Sequence, residues 1–327
     1  MDARRRRRTL ADARSQTRSE WRAYPQGMAT PLASGWEVKF RLACAERRGD
    51  AYQELFAQVM ERRDPGFQRV RPWGNAGDRK NDGWSPAKRT LFQCYAPSTL
   101  TAADLVAKLD DDYAGAIDYW EEYFDTWVFV HDDLQGMAPM VAKKIVELDK
   151  KSDDVSCTAW GFAELREEFA QLHDADRAAI LGPALTPLDF LSVEAQTLKP
   201  LLDALGHMAP DPAAAVAVVP PHKIQANDLT PAQIDFLKLG ASRAPLVEQY
   251  LSQAYLLPSH ADEIAEAVSA HYKKLRAEGY APAVTFDLLL AWVTGGAADS
   301  STVANSLAIV AYFFERCHIF EVPGGTG

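Results

Sequence analysis

The chain has 327 residues, of which 47% are hydrophobic, and its formal net charge is −10. This length and composition suffice for two domains with buried cores. No stretch of about 18 apolar residues is present and the N-terminus lacks the apolar segment of a secretion signal, so we expect a cytoplasmic protein without a membrane segment. The four cysteines form no CxxC pair, which argues against a zinc site or a disulfide framework and indicates reduced, buried thiols.

The first part of the chain is strongly basic. Residues 1–27 carry eight arginines against three acids, a local net charge of +5. Since residues 1–35 have no sustained apolar period, we predict that they form a disordered basic tail. Two interpretations of the tail stay open. The run Arg4 to Arg8 contacts nucleic acid or a partner, or Met28 is the natural start and the preceding segment is translated upstream sequence.

Helical and strand patterns follow the tail. Apolar residues recur at helical spacing from 36 to 60, with a break at Gly49, which predicts one or two helices. Residues 66–71 alternate as a first strand does, and residues 90–95 form a second strand-like run before Pro97. A Gly-rich loop separates the two strands, so the pattern indicates a hairpin.

Strands and helices then alternate along the chain. Alternation of this kind is typical of a mixed sheet that is flanked by helices, so we predict an α/β fold. The predicted helices cover about residues 101–124, 140–148 and 163–172, and the predicted strands cover residues 127–130 and 155–160.

Beyond His173 only helices and loops are predicted, and a Pro- and Ala-rich segment resembles a linker. The C-terminal part is therefore expected to be an all-α domain, whose aromatic end packs in the core or docks a partner subunit. The predicted organisation is a basic tail (1–35), an α/β domain (36–208), a linker (209–222) and a helical partner-binding domain (223–327).

The stretch from Gly74 to Pro97 combines acids and bases with a strand. Asp78 and Asp82 lie in the loop, and Gln93 and Tyr95 point to one face of the following strand. Together with Glu54 on the preceding helix, these residues have the layout of a metal site. A divalent ion held by carboxylates polarises a phosphoryl oxygen and activates water, which is the chemistry of phosphodiester hydrolysis.

Basic residues surround the two acids of the loop. Residues 62–89 carry eight Lys and Arg against three Asp, a local net charge of +5. These residues are either a solvated surface of mixed charge or a basic rim that holds a phosphate backbone over the acids. The candidate nucleic-acid contacts are Arg69, Arg71, Arg79, Lys80, Lys88 and Arg89.

The sequence contains two further acidic runs, at residues 131–133 and 110–112. His131-Asp132-Asp133 follows a predicted buried strand and is either a second acidic site or, as we favour, a turn with solvated acids. The run 110–112 is expected to lie on the solvated face of a helix.

A helix with Glu-Leu-Phe, a strand, Gly-Asp-x-x-x-Asp-Gly and a strand with Gln-Cys-x occur in this order. The order resembles the PD-(D/E)xK nuclease superfamily in its Mrr-like restriction-endonuclease branch. The resemblance implies a restriction-endonuclease-like mixed sheet and Mg²⁺ or Mn²⁺, with Asp82 as the central ligand, Glu54 as the helix acid and Gln93 in the D/E position. Tyr95 stands where the family has its catalytic lysine, and a phenol cannot supply that positive charge. Lys80, Lys88 or Arg89 would have to take over this role.

Short motifs also resemble a narrower family. They are Gln-Cys-Tyr-Ala-Pro at 93–97, Trp-Val-Phe-Val-His at 127–131, Ala-Trp-Gly at 159–161 and the aromatic C-terminal run. They are similar to the effector component of bacterial ABC-three-component conflict systems. This resemblance implies a nuclease-like domain that acts against phages or mobile elements and a helical module that tethers it to a small middle component and an ABC ATPase.

The leading hypothesis is a metal-dependent endonuclease that cleaves DNA under the control of partner subunits. A homo-oligomeric state stays open. The alternative is a catalytically degenerate nuclease fold that binds nucleic acid or scaffolds the ATPase complex. A helical adaptor whose α/β half is only a platform is a third, simpler hypothesis.

Overall fold

The computed structural model describes residues 33–70, 81–97, 102–206, 208, 227–252, 258–316 and 319–320. The predicted linker and all but the last three residues of the predicted basic tail lie outside these ranges. The helices in chain order are α1 (Ser34–Glu46), α2 (Asp50–Arg63), α3 (Ala102–Trp120), α4 (Pro139–Asp149), α5 (Phe162–Ala170), α6 (Asp174–Leu181), α7 (Ala195–Gly206), α8 (Pro231–Ala241), α9 (Ala244–Leu251), α10 (Pro258–Ala277), α11 (Pro282–Thr294) and α12 (Ser300–Glu315).

Within the described residues, five strands form one mixed sheet in the order β1-β2-β3-β4-β5. The first three strands pair antiparallel, and β3, β4 and β5 pair parallel. The predicted α/β class with a mixed sheet and a helical C-terminal part is therefore confirmed. The strands are β1 (Gln68–Arg69), β2 (Gly83–Ser85), β3 (Thr90–Tyr95), β4 (Thr126–His131) and β5 (Ser156–Trp160).

Helices cover both faces of the sheet because its central strands are apolar on both sides. On one face, Leu91 and Phe129 belong to the core that is completed by residues of α3 and α4. On the other face, the ring of Phe92 lies 5.5 Å from that of Phe56 in α2 and 5.3 Å from that of Trp160. Alternation along β3 thus assigns Gln93 and Tyr95 to the α3 face and Cys94 to the α2 face.

Contacts divide the chain into two compact units. The α/β unit contains residues 48–172, and the helical unit contains residues 32–47 and 173–327. This division differs from the predicted boundaries at residues 36 and 209–222. Val38 of α1 and Leu198 of α7 share one core with residues of α8 to α12. Helical periodicity shows that a segment is amphipathic, but it does not say which core its apolar side covers.

Two further features concern the cysteines and the apolar character of the helices. Cys44, Cys94 and Cys157 are buried free thiols, as predicted, and Cys317 lies outside the described residues. Among the helices that the structure describes, none is long and apolar enough to cross a membrane.

A buried polar cluster joins three helices of the helical unit. The guanidinium of Arg41 in α1 forms an ion pair with Asp287 of α11 at 3.1 Å. Gln233 of α8 donates a hydrogen bond to the same carboxylate at 2.6 Å. Asp287 is only 4% exposed, and burial raises its pKa to about 6 although Arg41 and Gln233 favour the charged form.

The raised pKa of Asp287 makes the stability of the helical unit depend on pH. The folded chain binds this proton more tightly than the unfolded chain, whose Asp pKa is about 3.9, so the contribution of Asp287 to stability falls as pH rises from about 4 to about 6. Denaturant unfolding of wild type and Asp287→Asn should give a difference in unfolding free energy, wild type minus variant, that drops by roughly 3 kcal/mol over this range. Asp235→Asn, at an exposed position of α8, is the matched control. A difference that stays constant with pH would contradict the prediction.

Candidate functional site at the carboxyl edge of the sheet

The parallel strands β3, β4 and β5 all end at the same edge of the sheet. This carboxyl edge carries Tyr95, His131 and, just after β5, Gly161. Strand β2 runs the other way and begins at this edge, directly after Asp82. Open α/β sheets bind ligands outside the carboxyl ends of their strands, so this edge is the candidate functional site of the α/β unit.

Asp82 directly precedes β2 and is bonded to the backbone of β3. Gly83 pairs with Phe92 in the antiparallel register, and Asp82 contacts the two residues that flank Gln93. The amide of Asp82 donates to the carbonyl of Phe92 at 2.9 Å. Its carboxylate Oδ2 accepts a hydrogen bond from the amide of Cys94 at 2.7 Å. The hairpin backbone therefore holds this carboxylate in place at the carboxyl edge.

Gln93 is a buried amide with an unused acceptor. The residue is 6% exposed, and its Oε1 atom is buried without a hydrogen-bond partner. A buried polar atom of this kind costs roughly 1–3 kcal/mol of stability. Native proteins pair nearly all such atoms with protein groups or with water. The oxygen of Gln93 can therefore accept a hydrogen bond from water or bind a ligand at this edge.

Tyr95 occupies the last position of β3, and its surroundings keep it protonated. Burial first, and then the carboxylates of Asp112 and Asp104, raise its pKa. The phenol is therefore neutral near pH 7 and can donate a hydrogen bond. The ammonium of Lys108 lies 5.9 Å from the centre of the Tyr95 ring.

Asp112 is not on a solvated face, contrary to the expectation for residues 110–112. Its side chain is 1% exposed and forms an ion pair with Lys108 one turn earlier in α3. The face of α3 that covers the sheet includes Leu109 and Tyr113, and Asp112 lies beside them. Asp110, by contrast, is 41% exposed and pairs with Lys151 at 2.9 Å.

His131 is the residue whose position sequence reasoning missed. It pairs with Tyr95 in the parallel register, is 7% exposed and has an unpartnered Nδ1 atom. Tyr52 of α2 donates to its carbonyl at 2.8 Å. Gly161 packs so close to the ring that an added Cβ atom would lie 2.7 Å from Cε1. Burial lowers the pKa of His131 against the opposing effect of Asp133 and Glu164, so the imidazole is neutral near pH 7.

The neighbouring Asp132 is also not a solvated acid. Its carboxylate is 16% exposed and forms an ion pair with Arg48 at 3.2 Å, and burial raises its pKa. The expectation of a solvated turn is therefore wrong for His131 and Asp132. The available signal was the direct attachment of these polar residues to a strand that is buried on both faces.

Glu54 lies away from the other predicted ligands. It is exposed on α2, which packs on the sheet face opposite Gln93 and Tyr95. Its carboxylate forms an ion pair with Arg69 and accepts a hydrogen bond from Gln58 at 2.7 Å. Arg69 also pairs with Glu61 at 3.1 Å. The role of Glu54 as a metal ligand stays a prediction, and this geometry requires its carboxylate to leave Arg69.

Lys88 and Arg89 occupy the turn between β2 and β3, at the other end of these strands from Asp82. Lys88 forms an ion pair with Asp64 at 3.1 Å. Arg89 forms one with Asp125 at 3.1 Å. Both side chains are therefore engaged in ion pairs near the hairpin turn in this structure. The remaining predicted residues, Arg71, Asp78, Arg79 and Lys80, lie outside the described residues.

The described part of the chain contains no group of three or more His, Cys, Asp or Glu side chains that could hold a metal ion. Two oxygen donors nevertheless belong to this edge: the carboxylate of Asp82, which is bonded to the amide of Cys94, and the unpartnered oxygen of Gln93. Mg²⁺ keeps several of its waters and is often bound through only one or two carboxylates. The donor pair therefore fits a hydrated hard cation that retains most of its water ligands.

Comparison with known proteins gives a match in the helical unit. No curated protein and no solved structure matches the chain. Residues 196–321 match a family model that is described as C-terminal domain 10 of the ABC-three component (ABC-3C) systems. The matched segment covers α7 to α12, and α1, α6 and the α/β unit lie outside it. The match supports membership of this chain in an ABC-three-component system.

Proposed function

We propose that this chain is the nuclease effector of an ABC-three-component defence system and that it hydrolyses DNA with Mg²⁺ or Mn²⁺. The observation that carries the proposal is the carboxylate of Asp82, which is held at the carboxyl edge by the amide of Cys94, the residue next in the chain to the buried Gln93, whose Oε1 atom has no hydrogen-bond partner among the described residues. The order of elements supports it as well. A helix, an antiparallel three-strand meander, a crossover helix and a parallel strand follow one another. The helix, β1 and β3 occur in the order on which the resemblance to PD-(D/E)xK nucleases was based, but β1 and β3 do not form the predicted hairpin because β2 lies between them.

Each residue of the carboxyl edge has a role in this proposal. Asp82 and Gln93 would hold the ion, which supplies Lewis-acid activation of the phosphate and of a water molecule. The hydrogen bond from the Cys94 amide fixes the carboxylate of Asp82. The neutral phenol of Tyr95 donates a hydrogen bond to a phosphate oxygen. Neutral His131 supports the edge from the neighbouring strand.

The helical unit is the part that we assign to partner binding. Its segment 196–321 matches a domain family of ABC-three-component systems, and such systems consist of several components. We propose that this segment docks a small middle component and through it an ABC ATPase, so that the partners control cleavage.

The charge of Asp82 is central to the proposal. Asp82→Asn keeps an oxygen that can accept from the Cys94 amide but loses the negative charge, so we expect plasmid cleavage with Mg²⁺ or Mn²⁺ to fall by about 100-fold or more. Cleavage is measured with the chain alone and with the other components of its system. Asp153→Asn, at an exposed position before β5, is the control that should cleave normally. Undiminished cleavage by the Asp82→Asn variant would refute the assignment.

Gln93 should show opposite effects on stability and activity. Gln93→Met has a similar volume and removes the buried oxygen without a partner, so the unfolding free energy should rise by about 1 kcal/mol. Cleavage should fall because one of the two donors is lost. Thermal unfolding and plasmid cleavage measure the two effects on the same protein. A variant that is less stable than wild type would indicate that the amide serves the core instead.

A degenerate nuclease fold that only binds nucleic acid is the second candidate function. Tyr95 in the lysine position favours it. The degenerate-fold function would be supported if the wild type binds DNA but does not cleave it, and if calorimetry shows that it binds neither Mg²⁺ nor Mn²⁺.

A further inference from the structure

We propose that Lys108 supplies the cationic group of the carboxyl edge, in place of a lysine at the position of Tyr95. The inference rests on the proposed phosphodiester hydrolysis. Negative charge grows on the phosphoryl oxygens during that reaction, and a fixed positive group beside them lowers the barrier. A phenol cannot provide this charge, so a functional site needs a cation from another element.

Helix α3 brings such a cation to Tyr95. This helix follows β3 in the chain and covers the sheet face that carries Gln93 and Tyr95. Lys108 lies nearly two turns into α3, and its ammonium is 5.9 Å from the centre of the Tyr95 ring. A lysine at position 95 would extend from the same Cα atom as that ring. The two residues thus direct their side chains into one region of the edge.

A buried acid holds the ammonium of Lys108 in position. Both carboxylate oxygens of Asp112 accept from Lys108 Nζ, and the Asp112 side chain is 1% exposed. The lysine itself is 36% exposed, so ligands in solvent can reach it. An ammonium has three N–H donors, and a carboxylate with two oxygens accounts for two of them. The third N–H group can donate a hydrogen bond to a phosphate oxygen or to a water.

Of the other cations predicted for this role, the two that the structure describes are worse placed, and Lys80 lies outside the described residues. Lys88 lies at the hairpin turn, at the far end of β2 and β3 from Asp82, where it forms an ion pair with Asp64. Arg89 shares that turn and pairs with Asp125. Lys108 comes to Tyr95 because the crossover helix α3 returns the chain over the sheet. No local sequence pattern around Asp82 could reveal this.

Relocation of the charge is the decisive experiment. Lys108→Gln should reduce Mg²⁺- or Mn²⁺-dependent plasmid cleavage by about 100-fold, and Lys108→Arg should retain part of it. Adding Tyr95→Lys to the Lys108→Gln variant should restore at least about tenfold, because the new ammonium reaches the same region. A residue that only stabilised α3 would not be replaced by a lysine on β3.

Two controls separate function from folding. Lys151→Gln removes another lysine of the α/β unit that pairs with an acid, and it should cleave as wild type does. The single variant Lys108→Gln leaves the buried carboxylate of Asp112 without its cation. The double variant, Lys108→Gln together with Asp112→Asn, keeps a neutral polar pair at this position and should preserve the fold. This double variant should be as inactive as Lys108→Gln, with a thermal unfolding midpoint close to wild type.

The outcomes distinguish this inference from the proposed function. Loss of cleavage in Asp82→Asn with full cleavage in both Lys108→Gln variants would overturn the role of Lys108 and leave the nuclease assignment intact. Failure of Tyr95→Lys to restore a folded, inactive Lys108→Gln protein would also overturn it. No cleavage by wild type together with its partner components would refute the proposed function and, with it, the role of Lys108.

Discussion

The parallel pairing of β3 with β4 is the constraint on which the candidate site depends. It sets Tyr95 beside His131 and requires a crossover, since parallel neighbours cannot be joined by a tight turn. Helix α3 is that crossover, so it must cover one sheet face and end where β4 can begin. Its first turns consequently lie near the carboxyl edge, where they bring Lys108, Asp104 and Asp112 to Tyr95. The parallel pairing of β3 with β4 thus accounts for the residues that surround Tyr95.

Local features of the fold could be predicted from the sequence because they depend on short-range physics. The strand at 90–95 has the bounds that its apolar run indicated. Thr230 caps α8 by accepting a hydrogen bond from the amide of Gln233 at 3.3 Å, and a Thr followed by Pro is a typical local signal for the start of a helix. The break at Gly49 also separates two helices as expected, with Gly49 at a φ angle of 54° that favours glycine.

The features that escaped prediction depend on contacts between distant segments. Three consecutive aspartates at 110–112 look alike in sequence, but only Asp112 is turned into the core. Net charge over a window suggested a basic rim, yet Arg69 and Lys88 are each matched with an acid that the window could not assign to them. Pairing of this kind reduces the long-range field that a run of charges would otherwise create, although a paired cation can still donate to a ligand in contact with it. The local count of charges therefore overestimates the attraction for a phosphate backbone.

The course of the chain through the two units has a consequence for folding. Helix α1 is synthesised before the α/β unit, but its core partners in α8 to α12 follow only after that unit. Closing such a long loop costs chain entropy, and early folding of the α/β unit would shorten the flexible part of it. The apolar side of α1 therefore has no core to pack against until α8 to α12 have been synthesised. The helical unit can be completed only then, when the α/β unit with the candidate site has had time to fold.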